Sequence, residues 1–396
     1  MIDFDEACRR VAAIVAPLGV EPMALDLAWD RILAAPVTAR RSAPGAAVSA
    51  MDGYAVRDAD LAAGATRLRL VGESFAGSPG DGPPLEPGAC VRIFTGAPMP
   101  GGADRVVMQE VVQREGETVV FAERPSPARH VRAAGSDFAA GEVLLEAGAR
   151  LTPQALVAAA AADRDVVDVF VRPRVAVLST GDELVAPGLP TTVPGTIPES
   201  VSFGVAALVR AWGGEVVFRR RLGDDLPSLA QAAAAALEAA DVVVVTGGAS
   251  VGERDFSKAM FRDLGLRLEF EKVAIKPGKP VWVGRVGDRI VVGLPGNPSA
   301  AMVTARLFLA PLLAGLGGGR PEDALAWRMA PLASALDGGG DRETFQRGRT
   351  TVDGVRPVGN QDSSAQKDLA MADLLIRRRP GAGAQEAGEL VEVLTF

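Results

Sequence analysis

The stretch VVVVTGGASVGERDFSKAM, residues 242–260, runs four valines into two glycines, then a polar loop, then the start of a helical pattern. A short apolar run closed by glycines reads as a strand buried on both faces. A glycine turn between such a strand and a helix presents backbone N–H groups to phosphate. This loop has no Lys or Arg at its glycine turn, and Glu253 and Asp255 stand inside it. Carboxylates repel phosphate unless a cation lies between them, and Mg²⁺ takes one or two carboxylates together with phosphate oxygens. The acids are therefore compatible with a metal-bridged phosphate. A helix cap or a solvated loop position is the plainer role for any one of them.

Outward from this stretch the same rhythm recurs. RVAVLS (174–179), EVVFRR (215–220), DVVVVT (241–246) and RIVVGL (289–294) are short runs rich in β-branched residues. Helical patterns over 200–212 and 225–240 separate the first three, with Asp225 as a cap; a less regular stretch, 253–288, precedes the fourth. Alternating strands and helices predict a parallel α/β sheet, closed by a helix over 298–313. Ligands of such sheets bind outside the carboxyl ends of the strands. Three loops follow strands directly: STGDEL (179–184), TGGASVGERD (246–255) and GLPGNPSA (293–300). They are expected to open on one edge, with Asn297 capping the next helix and Pro298 in its first position. Tight turns alone would also explain each glycine.

The fold class this predicts is α/β and multidomain. The parallel-sheet domain spans 172–318. Helical patterns over 2–16 and 152–163, the latter capped by Thr152 ahead of Pro153, are expected to pack together in a helical linker domain of 1–43 and 139–171. Between them RLRLVGES, CVRIFTG, RVVMQEVV and ETVVFAE read as antiparallel strands of an inserted β-rich domain, 44–138. Past a linker, GLGGGRPED, the runs FQRGRT, VRPV and LVEVLTF predict a small C-terminal β-barrel-like domain, 319–396.

With 396 residues, 48% of them hydrophobic, the chain is long enough for several cores. A single histidine, His130, excludes His-pair metal sites, and Cys8 and Cys90 match no metal-ligand spacing. Both cysteines read as buried thiols in a reducing compartment. The N-terminus does not read as a signal peptide, and no apolar run is taken as a membrane span, so the expectation is a cytoplasmic protein without a membrane partner. A net charge of −7 argues against a nucleic-acid partner. The five lysines are Lys258, Lys272, Lys276, Lys279 and Lys367, three of them within KVAIKPGK. That cluster fits a solvated turn or an anion site. SAMDGYAVRDAD (49–60) holds an Asp-Gly turn signal beside Met51 and Tyr54, which predicts a hairpin turn with Tyr54 in the core.

In chain order, SAMDGYAV, RIFTGAPMPGGAD, LSTGDEL, TGGASVGERDFSK, AIKPGKP and GLPGNPSA resemble the molybdopterin molybdenumtransferases, the MoeA and gephyrin E-domain family. The resemblance spans residues 49–300 and both flanks fit it. It implies an elongated homodimer of four-domain subunits. It also implies an activity: adenylylated molybdopterin and molybdate react, with Mg²⁺, to give molybdenum cofactor and AMP. The family's catalytic positions fall on Asp52, Thr95, Asp137, Glu183, Asp224, Lys276 and Lys279. Substrate-binding positions fall on Gly181, Asp182, Gly247, Gly248, Ser250, Gly252, Pro295, Gly296, Asn297 and Pro298, and the metal positions on Glu183 and Asp255. The resemblance further implies that Asp52 and Thr95 close the site from another domain. Two places depart from the family pattern. Ser136 stands where a Glu usually precedes Asp137, and Glu199, Ser200 and Val201 replace an Asp-Ser/Thr-Asn turn near the nucleotide. A non-catalytic paralogue or a phosphohydrolase on the same domain are the rival readings. The retained acids and lysines weigh against the first, and MDGYAV and RIFTGAP against the second.

Overall fold

The structure, a computed structural model, describes residues 1–80, 82–121, 127–188, 193–247 and 256–396. It divides into two compact units. One comprises Met1–Glu21, Asp30–Ala34 and Asp168–Phe396, the other Pro22–Trp29 and Ala35–Val167.

The first unit is built on a six-stranded sheet: β1 (Arg174–Thr180), β2 (Glu215–Leu222), β3 (Val242–Thr246), β4 (Arg267–Phe270), β5 (Trp282–Val286) and β6 (Arg289–Leu294), in the order β2-β1-β3-β6-β5-β4. The pairs β1–β2, β1–β3 and β3–β6 are parallel, as the sequence predicts. β4 and β5 lie in the stretch that showed no regular pattern; they pair antiparallel with each other, and β5 with β6. The valine run explains the position of β3. Val242 and Val244 enter one core with Val175 and Val177, while Val243 and Val245 enter the other with Ala176 and Leu178. A central strand buried on both faces must be apolar at every position, and each valine so buried contributes about 1.5–3 kcal/mol.

Helix α1 (Phe4–Ala13), helix α2 (Val201–Ala211) and the helical run from Pro298 cover the first face. Helix α3 (Leu226–Ala239) covers the second with Leu229, Ala233 and Ala236. The Asp225 cap is present: its carboxylate accepts from Ser228 N at 3.1 Å. The run from Pro298 is longer than expected and interrupted. It comprises α4 (Pro298–Thr304), a π-helical turn (Ala305–Leu309) and α5 (Ala310–Leu316). Pro298–Leu316 is long and apolar enough to cross a membrane, yet 89% of it is buried, because it is the core helix of this unit. Phe4 of α1 packs on Phe308 and Phe345. This aromatic cluster draws α1 into the first unit, so it does not share a unit with the helix Pro153–Ala161.

The first unit also holds a second six-stranded sheet. Ile275–Lys276, Glu343–Thr351, Leu374–Arg378, Leu390–Thr395 and Arg328–Pro331 pair in that order, the first two parallel, and Gly354–Pro357 flanks Glu343–Thr351. Beyond its last strand, Leu332 bridges Val355.

The second unit holds a six-stranded sheet ordered Arg105–Met108, Gly53–Val56, Ala89–Ile93, Arg67–Ser74, Thr118–Phe121 and Val112–Glu115. Five of its strands fall on the expected runs, but Gly53–Val56, where a hairpin turn was expected, is a strand paired on both sides, and Arg67–Ser74 pairs parallel with Ala89–Ile93. The long connection between those two strands crosses over, where a hairpin turn would have forced an antiparallel pair. Gly53 begins a strand and Tyr54 is buried in the sheet's core. In the same unit Thr152 caps Pro153–Ala161, accepting from Ala155 N at 3.2 Å.

Candidate active site

In the first unit's sheet the chain leaves β1 toward β2 on one side, then returns past β1 to β3 on the other. The reversal opens a crevice at the carboxyl ends of β1 and β3, where such sheets hold ligands. A cavity of about 450 Å³ lies there. Thr180 and Glu183 enter it from the loop after β1, Thr246 and Gly247 from the end of β3, and Pro295–Pro298 from the loop after β6. The first and third strand-following loops and the start of the second, Thr246 and Gly247, thus meet on one edge. Two glycines are required by the geometry. A Cβ on Gly247, at φ +93°, would stand 2.3 Å from the Thr180 carbonyl oxygen. A Cβ on Gly181, at φ +148°, would stand 2.5 Å from Oε2 of Glu183. The Glu183 carboxylate therefore folds back over bare backbone at the mouth of the β1 loop.

The other predicted residues of this unit are placed as follows. Asp182 accepts from Asp224 N at 3.0 Å and so ties the loop after β1 to the loop after β2. Asn297 occupies the N-cap position of α4 without capping it by its side chain. Its Nδ2 donates instead to Ser363 Oγ at 2.9 Å. Pro298 holds the first helical position as expected. Lys276 is exposed at the end of the strand Ile275–Lys276, and Lys279 is exposed on the turn that follows it to Pro280, itself in the cavity wall. Gly248, Ser250, Gly252, Glu253 and Asp255 lie outside the described residues.

Beneath the cavity runs a chain of buried hydroxyls that ends on Glu199. Thr246 Oγ1 donates to Ser179 Oγ at 3.1 Å, and Ser179 Oγ donates to Glu199 Oε1 at 3.3 Å. From the other side, Ser202 N donates to Oε1 at 2.8 Å and Ser202 Oγ to Oε2 at 2.6 Å, while Arg219 donates to Ser202 Oγ at 2.9 Å. Ser200 is the N-cap residue of α2 but makes no side-chain cap bond; the Glu199 carboxylate, one residue earlier, takes that part for Ser202 N and also braces the floor. Ser200 and Val201 are left to face the cavity.

One wall of the cavity has no counterpart in the sequence reading: Ser364 and Gln366 enter it from the C-terminal part of the chain. Arg347, fully buried, holds their loop. Its guanidinium donates to the carbonyl oxygens of Asn360 (2.9 Å), Asp362 (3.0 Å) and Ala365 (3.2 Å), and to Ser299 Oγ. Ser299 N also donates to Ser363 O at 2.9 Å. The cue in the sequence was an arginine inside the apolar-flanked run FQRGRT together with the Asp/Ser-rich NQDSSAQ.

In the second unit, Asp52 and Thr95 are brought together. Asp52 Oδ1 accepts from Thr95 N at 2.7 Å and from Thr95 Oγ1 at 2.8 Å. The backbone N–H of Thr95 is the main reason the Asp52 carboxyl titrates below its ordinary value. Asp137 lies exposed on a separate turn, its N–H donating to Ala43 O at 3.0 Å.

The fold and cavity define a multidomain α/β protein with a ligand crevice at the switch point of a doubly wound sheet. Family models give the class a name. "MoeA N-terminal region (domain I and II)" matches residues 2–162, "Probable molybdopterin binding domain" matches 176–315, and "MoeA C-terminal region (domain IV)" matches 329–396. The molybdopterin molybdenumtransferase of Haemophilus influenzae is 37% identical over 408 residues, 100% of this chain and 99% of that protein. Molybdopterin molybdenumtransferase 2 of Mycobacterium tuberculosis is 36% identical over 356 residues, covering 88% of this chain and 87% of that one. The crystal structure of the molybdopterin biosynthesis MoeA protein of Pyrococcus horikoshii superposes with a TM-score of 0.85 at 29% identity, covering 100% of this chain and 99% of that one. The chain belongs to the MoeA family.

Proposed function

We propose that this protein is a molybdopterin molybdenumtransferase: it takes adenylylated molybdopterin and molybdate and yields molybdenum cofactor and AMP, acting in the cytoplasm as a homodimer. The reading is carried by the cavity at the sheet's switch point, where three glycine-bearing loops and a carboxylate converge. Such an edge suits a substrate with a pyrophosphate. By family position Lys276 and Lys279 supply positive charge to phosphate or molybdate oxygens. Asp52, Thr95, Asp137 and Asp224 are assigned to the reaction on the same ground. The domain scheme that goes with this reading keeps 44–138, 172–318 and 319–396 as domains, joined by 1–43 and 139–171.

The described residues suit Mg²⁺ in a particular way. No group of three or more Cys, His, Asp or Glu converges among them, so the protein offers no cage of its own there. Of the two carboxylates lining the cavity, Glu199 is engaged by Ser179 and Ser202, which leaves Glu183. One available carboxylate fits an ion that takes most of its ligands from substrate phosphates. Glu183 would hold the ion, with Asp255 as its proposed partner, and the ion would neutralise phosphate charge beside the acids.

Incubation with adenylylated molybdopterin, molybdate and Mg²⁺, following AMP release, tests the reading. Molybdate-dependent AMP release is expected, and Glu183→Gln should raise the Mg²⁺ concentration needed for half-maximal rate. No release at any substrate level would overturn it.

A further inference from the structure

A second cavity of about 510 Å³ adjoins the first. Its walls are the outward side of α2, through Gly204, Leu208 and Trp212, together with Met302, Arg306 and Phe396. It shares Ser200, Val201, Pro298 and Gln366 with the candidate active site. Nothing in the reaction proposed above uses it.

Arg306 is the feature that gives this cavity a chemistry. It is only 4% exposed, and no carboxylate pairs with it among the described residues. Nε donates to Thr395 O at 2.7 Å and Nη1 to Ala324 O at 2.8 Å, which leaves Nη2 for a ligand. The guanidinium lies 4.8 Å from the centre of the Trp212 ring. Burial lowers its pKa to about 10, so the group remains a cation at neutral pH. A buried cation without a counter-ion is costly, and a guanidinium is the side chain best suited to grip a planar carboxylate. The backbone around it is unusual as well: Arg306 sits in the π-helical turn Ala305–Leu309, a rare geometry that is frequent at functional sites.

We propose that this cavity binds a small carboxylic acid with an aromatic body, the carboxylate on Arg306 and the ring against Trp212 and the apolar wall. The cavity's size falls in the range of small-ligand sites. A phosphate dianion would need more donors than a single guanidinium in a lining whose other polar side chains are Ser200 and Gln366, so the carboxylate is the better match. Through the four shared residues, occupancy of this cavity bears on the walls of the candidate active site. The assignment does not depend on the activity proposed above.

Calorimetric titration of the full chain with 3-phenylpropanoate and with the neutral 3-phenylpropan-1-ol tests it. The acid should bind at one site per chain, at least about tenfold more tightly than the alcohol, the margin a charge-assisted contact supplies. Arg306→Gln should remove that margin and leave the alcohol's affinity unchanged. Ala207→Trp, on an exposed cavity-lining position, should abolish binding of both ligands. No binding by the parent, equal binding of acid and alcohol, or undiminished binding by Ala207→Trp would each overturn the proposal. Should Arg306→Gln fail to fold, the acid–alcohol pair on the parent and the Ala207→Trp variant decide it.

Discussion

Glu199→Ala removes the carboxylate on which the buried hydroxyls below the candidate active site converge. Ser202 N loses the acceptor that caps α2, a loss of about 1–2 kcal/mol. The hydroxyls of Ser179 and Ser202, both nearly inaccessible to water, lose their acceptor at about 1 kcal/mol each. The Ser179 contact is long at 3.3 Å, so its share falls at the low end. The expected total is about 3 kcal/mol. Glu199→Gln keeps an oxygen for Ser202 and should lose only about 1 kcal/mol. Glu199→Asp should lose a similar amount, because the shorter side chain still caps α2 but does not span to Ser179. Urea unfolding followed by tryptophan fluorescence reads these differences through the midpoint and slope, with Trp212 and Trp282 reporting on this unit. If Glu199→Ala unfolds within about 0.5 kcal/mol of the parent, the carboxylate is not the anchor of this network and the assignment of α2's cap is wrong.

Lys279→Gln should slow AMP release or weaken substrate binding by about 10- to 150-fold, the worth of one charge-assisted contact, while Lys367→Gln should match the parent; equal behaviour of the two would make the lysine turn an ordinary surface feature. Thr95→Ala should raise the Asp52 pKa toward the ordinary 3.8, because one of its two donors is gone, as carboxyl-carbon NMR titration would show. A carboxylate with a lowered folded pKa stabilises the native state above about pH 4, and that contribution fades as the pH falls through the folded value, so acid unfolding of Thr95→Ala should begin at higher pH than in the parent. Burial pushes the thiols of Cys8 and Cys90 up to about 12, so neither should react with a disulfide reagent at pH 8 in the native protein, whereas both should react in urea.

The α/β sheet was legible because its central strands β1, β3 and β6 are buried along almost their whole length and are therefore nearly all apolar. Asp225 and Thr152 were legible as caps because cap chemistry is local to three residues. The switch-point cavity followed from loops that leave successive parallel strands at the same end. Longer-range outcomes were hidden. β4, at the sheet's edge, carries mixed residues, and β5 beside it is apolar only over Trp282 and Val283 before Gly284 and Arg285. The destination of α1 was set by Phe308 and Phe345, some three hundred residues away in sequence. Asn297 read as a cap, yet the Ser363 hydroxyl from a distant loop wins its side chain. Glu199, read as a substituted contact to nucleotide, turns inward because Ser202 and Ser179 offer donors that solvent does not have to give up.

The grip of Arg347 on residues 360–365 also bears on when the cavity comes into being. Its walls are drawn from Thr180, Gly247, Pro295 and Gln366, so it closes only after segments far apart in the chain have met. Contacts of such long sequence separation form slowly, after the local helices and hairpins that they join. During synthesis the sheet can be complete while the last wall is still unmade. A nascent chain that has emerged as far as Leu316 holds every strand of the α/β sheet, but lacks Ser364, Gln366 and the arginine that fixes them. The newly made protein therefore has no finished site until residues 360–366 have folded against the sheet, which delays capture of a reactive substrate until that segment is in place.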